Sequence, residues 1–177
     1  MYSLSEEPLI TRPQIDERLK VLAEDIKAEN FDVFLSTLTG GFMFTADLCR
    51  NIASSKLEIE FIRAASYGDH TESCGEVEIS GLEGLNIRDK KVLLIDDILD
   101  TGKTLFKLKN ALLALGPREI KTCVFLDKKG RREVDIDAAF VGFSIDNEFV
   151  VGYGLDYANM YRSYPEIWTV REDHGQQ

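Results

Sequence analysis

The sequence predicts an α/β domain with a central, mostly parallel sheet flanked by helices, and three observations carry that prediction. Val92–Asp96 and Ile120–Leu126 are essentially continuous apolar runs rather than alternating ones, the pattern of strands covered on both faces. Between them stand a short polar loop, Asp97–Gly102, and an amphipathic segment from about Lys103 to Leu115, which together make a strand–helix–strand unit. The chain has 177 residues, 44% of them hydrophobic, which suits one core. No internal repeat or linker divides it, so residues 1–177 are expected to form a single domain.

Each element follows from its local pattern. Ile15, Leu19, Leu22 and Ile26 recur at helical spacing from Gln14 to Asn30, behind a Pro13 suited to a first turn. Phe31–Leu38 reads as a buried strand closed by Thr39-Gly40-Gly41, and Phe42–Ser54 is a second helix carrying Phe44, Leu48 and Ile52. Leu57, Ile59 and Phe61 alternate with Glu58 and Glu60, which marks a strand. Ala64–Glu76 is small, polar and glycine-containing, near the upper length for an unstructured connection. Such loops often serve as lids, so Tyr67–Gly75 is expected to be mobile in the free protein. Glu76–Ser80 is the returning strand. After Val92–Asp96 and its loop, Leu105, Leu108, Leu112 and Leu115 line one helical face, which Gly116-Pro117 ends. Ile120–Leu126, Phe140–Phe143, Phe149–Tyr153 and Ile167–Val170 are the remaining strands, and 171–177 reads as a flexible polar tail.

Charge and composition remove whole classes of function. The chain sets 21 basic residues against 31 acidic ones, a net charge of −10. That balance is unsuited to riding on nucleic-acid phosphates or anionic lipid. An anionic small molecule needs only a local positive site. The apolar runs fall short of the roughly 20 residues that cross a bilayer, and the first residues carry Glu6, Glu7, Pro8 and Pro13 but no apolar signal segment. Cys49, Cys74 and Cys123 include no CxxC pair, so neither a disulfide framework nor an ordinary zinc site is expected. His70 and His174 supply no HExxH and no serine or cysteine triad. A soluble cytoplasmic protein is expected, without nucleic-acid or membrane partners. Its chemistry rests on carboxylates, basic side chains, hydroxyls and backbone amides, with room for a borrowed metal.

The informative stretch is VLLIDDILDTGKTL, Val92–Leu105. A buried parallel strand delivers Asp96 and Asp97 to its carboxyl end, where open α/β sheets bind ligands. The turn that follows opens a helix whose unpaired amides and dipole, with the hydroxyls of Thr101 and Thr104, suit one phosphate. Gly102-Lys103-Thr104 looks like part of a P-loop, but that motif needs glycine where Asp97 stands, and two carboxylates would repel a triphosphate. Asp97 and Asp100 could serve as helix caps, with Gly102 easing the turn. The density of acids, hydroxyls and glycine here exceeds what a cap needs. Acids that accept from sugar hydroxyls or hold a hydrated cation, set ahead of a phosphate cradle, suit a ribose 5-phosphate.

On these residues the sequence resembles the type I phosphoribosyltransferases, whose signature is a hydrophobic strand, two acids, two apolar residues, then D-T-G-x-T. Within them it is similar to the purine-salvage branch, the hypoxanthine-guanine phosphoribosyltransferases. GGFMFTADL (Gly40–Leu48), SYG (Ser66–Gly68), LDKKGRR (Leu126–Arg132) and FVVGYGLDYANMYR (Phe149–Arg162) match in the same order, so the resemblance spans nearly the whole chain. It implies a small hood lobe from the terminal segments and a homo-oligomer, dimer or tetramer. It also implies transfer of ribose 5-phosphate from phosphoribosyl pyrophosphate to N9 of hypoxanthine or guanine, giving IMP or GMP and pyrophosphate, with Mg2+ as cofactor.

Residue roles come with the resemblance. Asp96 and Asp97 serve the ribose hydroxyls and the magnesium shell, and Asp156 stands at the purine as a second magnesium ligand. Asp100 faces purine N7 as general base or proton-holder. Thr101, Gly102, Lys103 and Thr104 form the phosphate cradle. Lys128 donates to the purine 6-oxo group, Phe149 stacks on the base and Val150 reads its edge through backbone groups. Thr39, Gly40 and Arg162 bind pyrophosphate, while Ser66 and Tyr67 belong to the mobile loop. Taken singly, Lys128 reads as part of a solvated turn, Phe149 as core, and Asp156 with Arg162 as a surface pair. Their joint order favours the site. Two other functions stay open: a xanthine-preferring relative and, in another class, an RNA-binding regulator on the same fold. One departure stands out: Thr39 occupies a position where the family typically has lysine or arginine, so weaker binding of phosphoribosyl pyrophosphate is expected, with activity retained. Gly40 and Gly41 are expected to give that loop its backbone freedom.

Overall fold

The computed structural model describes residues 2–67 and 76–172. Along the chain run β1 (Tyr2–Leu4), α1 (Arg12–Glu29), β2 (Val33–Leu38), α2 (Phe42–Ile52), β3 (Glu58–Tyr67), β4 (Glu76–Ser80) and β5 (Lys91–Leu99). Then follow α3 (Lys103–Leu113), β6 (Glu119–Asp127), β7 (Phe140–Ser144), β8 (Val150–Val151) and β9 (Trp168–Glu172).

Apolar residues of the central strands alternate between two cores. Phe34, Leu93 and Ile95 face one cluster with Ile15, Leu19 and Phe44 from α1 and α2. Val33, Leu35, Val92 and Leu94 face the other, with Leu105, Leu108 and Leu112 from α3. Coverage on both faces is why these strands carry no polar alternation. The sheet order is β4-β3-β2-β5-β6-β7. All neighbours are parallel except β4, which closes one edge antiparallel to β3. Parallel strands place their carboxyl ends, and the loops after them, along one edge.

Several boundaries differ from the sequence reading. The helix α1 starts ahead of Gln14 because the amide and hydroxyl of Thr11 both donate to Gln14 Oε1 at 2.8 Å. The strand β5 continues through Asp97 to Leu99, held by Ile98 opposite Leu126 and Leu99 opposite Asp127. The polar Asp97 hid that continuation. Ala64–Tyr67, read as loop, extends β3 because Glu76–Ser80 returns beside it, with Tyr67 opposite Glu76. The remainder of the expected mobile segment, 68–75, lies outside the described residues.

The terminal segments do form a hood, an antiparallel sheet in the order β1-β9-β8. Arg171 and Glu172, expected in a flexible tail, pair with Ser3 and Tyr2, since the chain's start supplies β9 with a partner. Residues 173–177 lie outside the description. The hood joins the body through the Ile10–Ile167 bridge and through Tyr153 and Leu155, which enter the first core. Among the described residues no helix is long and apolar enough to cross a membrane.

Candidate active site

At the carboxyl edge of the sheet, the ends of β2 and β5, the start of α3 and the segment after β8 enclose a cavity of about 530 Å³. Thr39, Gly40, Asp96, Asp97, Asp100, Thr101, Gly102, Thr104, Asp156 and Arg162 all line it. So do Thr37 and Ile98, which the sequence reading did not single out.

The acid pair sits deepest. Asp96 is 8% exposed, and its Oδ1 accepts from the Thr37 hydroxyl and from the Asp97 amide at 3.0 Å. Asp97 Oδ1 accepts from the Ile98 amide at 2.8 Å. Burial, with Asp97 as a like charge beside it, pushes the Asp96 carboxyl well above the ordinary carboxylate range. Burial raises Asp97 too, against hydrogen bonds from its neighbours and the attraction of Arg162. Among the described residues neither acid has an ion-pair partner.

Two adjacent carboxylates, one buried and one half-buried, with no ion-pair partner among the described residues, are hard oxygen donors suited to magnesium, which takes one or two carboxylates and completes its shell from substrate oxygens and water. No group of three acidic, histidine or cysteine side chains converges among the described residues. Asp96 and Asp97 thus fit the ion as a pair. Asp156 is committed locally: its Oδ1 meets Arg162 Nη2 at 2.7 Å, and its Oδ2 accepts the Asn159 amide at 2.7 Å. Arg162 also donates to the Gly154 carbonyl at 2.7 Å, which fixes its guanidinium in the cavity wall.

The loop after β2 carries a cis peptide between Leu38 and Thr39. Gly40 is needed there for space rather than for rotation: its φ is not in the left-handed region, and a Cβ would lie 1.5 Å from Asp97 Oδ2. Gly41 likewise has an ordinary φ, and its Cβ would stand 2.9 Å from the Thr37 carbonyl. The expected backbone freedom is therefore not what these two glycines supply. Gly154, at φ 103, packs so closely on the Gly40 carbonyl that a Cβ would fall 2.1 Å from it.

Gly102, at φ 85, is the N-cap of α3 and offers no side-chain cap. Neither Asp97 nor Asp100 caps the helix, which removes the capping role considered for them. The Lys103 amide donates to the Thr101 hydroxyl at 3.4 Å, and the amides that follow it in the first turn can meet a ligand. Lys103 itself points away, its ammonium paired with Glu133.

Asp100 is held differently. Its Oδ1 accepts from Arg131 Nε at 2.8 Å, and Lys128 Nζ stands 3.8 Å from its Oδ2. Lys128 is buried at the end of β6, and that burial holds its ammonium below the usual lysine range, with Asp100 pulling the other way. It lines a separate recess of about 280 Å³. Phe149 is 51% exposed, with its ring edge-on to Tyr157 at 5.7 Å, while Val150 pairs with Thr169 in the hood. These three residues do not line the main cavity. Ser66 and Tyr67 end β3.

Thr37, Arg131 and Arg132 were missed as contributors. A threonine late in an otherwise apolar buried strand was a usable signal for Thr37. The two arginines were absorbed into a basic cluster, and nothing local tells which of its members turns inward.

A parallel sheet presenting an acid pair beside an uncapped helix turn suits a ligand that joins hydroxyls or a cation to a phosphate. The phosphoribosyl transferase domain matches residues 10–158, and the chain belongs to that family. A hypoxanthine-guanine phosphoribosyltransferase of Aquifex aeolicus is 42% identical over 168 residues, covering 93% of this chain and 94% of the relative. A hypoxanthine phosphoribosyltransferase of Escherichia coli is 43% identical over 157 residues, covering 89% and 84%. The crystal structure of a hypoxanthine phosphoribosyltransferase from Staphylococcus aureus superposes with a TM-score of 0.87 at 39% identity, covering 94% of this chain and 91% of that one.

Proposed function

We propose that the chain is a purine-salvage enzyme that transfers ribose 5-phosphate from phosphoribosyl pyrophosphate to N9 of hypoxanthine or guanine, giving IMP or GMP and pyrophosphate. The observation that carries this reading is one cavity holding an acid pair, neither member of which has an ion-pair partner among the described residues, beside an uncapped helix turn. Neither a xanthine preference nor RNA binding is favoured by any feature of that cavity.

In this reading the turn amides with Thr101 and Thr104 hold the 5-phosphate. Asp96 and Asp97 accept from the ribose hydroxyls and hold magnesium together with substrate oxygens. When bound, magnesium offsets the charge that develops on departing pyrophosphate. Thr39, Gly40 and Arg162 hold pyrophosphate, and Asp156 keeps Arg162 in place on the purine side. As the glycosidic C–O bond breaks, its electron pair leaves with pyrophosphate and the N9 lone pair forms the new bond. Asp100 accepts the proton that N7 gives up. A carboxylate has lone pairs beyond the one Arg131 occupies, so both contacts are compatible. Lys128 donates to the 6-oxo group, Phe149 stacks on the base and Val150 meets its edge through backbone groups. Assembly as a homo-oligomer, dimer or tetramer, and a cytoplasmic setting complete the proposal.

Turnover of hypoxanthine, guanine and xanthine, measured side by side with phosphoribosyl pyrophosphate and magnesium, tests it. Nucleotide formation from hypoxanthine or guanine is expected. Turnover of xanthine alone, or of none, contradicts it.

A further inference from the structure

The phosphate turn has a back as well as a face. On the back, three successive carbonyls are taken up from one side. Arg132 Nη1 donates to the Leu99 carbonyl at 2.9 Å and to the Asp100 carbonyl, and the adjacent Glu133 amide donates to the Thr101 carbonyl at 3.0 Å. These peptides are trans, so each N–H points opposite to its C=O. The amides of Asp100, Thr101 and Gly102 are therefore turned together away from Arg132. Successive amides facing one way form an anion nest, and residues 99–102 line the cavity.

Arg132 does not itself line that cavity, and its side chain is 15% exposed. Its other donors are also committed: Nη2 pairs with Asp127, whose side chain is 3% exposed, and Nε donates to the Ile136 carbonyl at 3.2 Å. One planar guanidinium thus ties the ends of β5 and β6 to the 132–136 loop. Only arginine offers adjacent donors in a fixed fork at any working pH.

We propose that Arg132 is a positioning residue, which holds the carbonyls of the phosphate turn so that its amides meet the 5-phosphate. This rests on the reading that the turn binds the ribose 5-phosphate, and it predicts an effect confined to ligands that carry that group. The test compares binding of IMP and inosine by calorimetry in the full-length chain. Arg132→Gln combined with Asp127→Asn removes the cation and its buried counter-charge together, so that no lone buried charge is left.

In the double variant the preference for IMP over inosine should fall by about 10- to 100-fold, the scale of lost charge-assisted hydrogen bonds. Inosine affinity should stay near that of the unsubstituted chain. Arg132→Lys keeps the charge but not the fork, and should lose part of the preference. It decides the matter if the double variant fails to fold. An unchanged preference in whichever variant folds overturns the proposal, as does equal weakening of both ligands, which would mark a purely structural role. If the unsubstituted chain binds IMP no tighter than inosine, the phosphate assignment of the turn falls first, and the proposal with it.

Discussion

Asp97 and Asp100 stand three residues apart at the end of one strand, yet their surroundings are opposite. Asp96 is buried and Asp97 half-buried beside it, neither has an ion-pair partner among the described residues, and both are pushed toward the protonated form by burial, against the attraction of Arg162 on Asp97. Asp100 is half-buried and bracketed by Arg131 and Lys128. The difference lies in who supplies the counter-charge. The pair has only the distant attraction of Arg162 and no ion-pair partner among the described residues, which suits a cation arriving with substrate. Asp100 carries its own, held by Arg131 and Lys128, and keeps lone pairs beyond those contacts. Two acids of one short motif are thereby given different surroundings by packing alone.

Three substitutions probe that division, from the largest effect to the smallest. Asp100→Asn should fold normally and lose turnover by about 10²-fold or more, the scale of general acid–base catalysis. A near-normal rate in the purified variant would remove Asp100 from proton transfer and leave its cations unexplained. Gly40→Ala would place a methyl group 1.5 Å from Asp97 Oδ2, so the loop or the carboxylate must move. The expected loss in kcat/KM is about 10- to 100-fold, since small displacements at a reacting site are costly. Unchanged kinetics would mean that the loop can retreat without disturbing the pair. Thr39→Lys adds a cation at the exposed rim of the cavity. The KM for phosphoribosyl pyrophosphate should fall by up to about 10-fold, one charge-assisted contact. No change, or lost activity, would show that Thr39 has its own role in the loop.

Much of this site was legible in Val92–Leu105, because a buried strand, an acid pair and a threonine–glycine turn follow one another within a single segment. Local rules alone gather Thr101, Gly102 and Thr104 at one strand end, but not the direction of Lys103, whose ammonium turns to Glu133. What escaped depends on contacts far apart in sequence. Gly40 owes its identity to the side chain of Asp97, 57 positions later, which φ preferences cannot reveal. Arg131 and Arg132 look alike in sequence, but one meets a carboxylate at the cavity and the other the backbone behind it. The strand at Tyr2–Leu4 is too short to announce itself, and exists because β9 lies beside it. Phe149 and Val150 entered through family resemblance, and their surroundings in the hood had no local signature.

The division of labour is tested most directly by the thermal unfolding midpoint of Asp97→Asn against the unsubstituted chain at pH 7, with and without magnesium and phosphoribosyl pyrophosphate. A carboxyl raised by folding binds its proton more tightly in the folded than in the unfolded chain. Folding stability therefore falls as pH climbs from the ordinary carboxylate range through the raised one. At neutral pH, above the ordinary carboxylate range, the raised acid costs stability, and asparagine removes that cost. Without ligand the variant should melt higher, by about 2–4 °C for each ~1 kcal/mol of repulsion relieved in a chain of this size. With ligand the order should reverse, because a cation bound to the folded state stabilises by about 2.7 kcal/mol at a hundredfold excess over Kd, and the variant forfeits most of that gain. A variant that melts lower without ligand, or gains as much with it, would show that the acid pair is not held in readiness for an external cation.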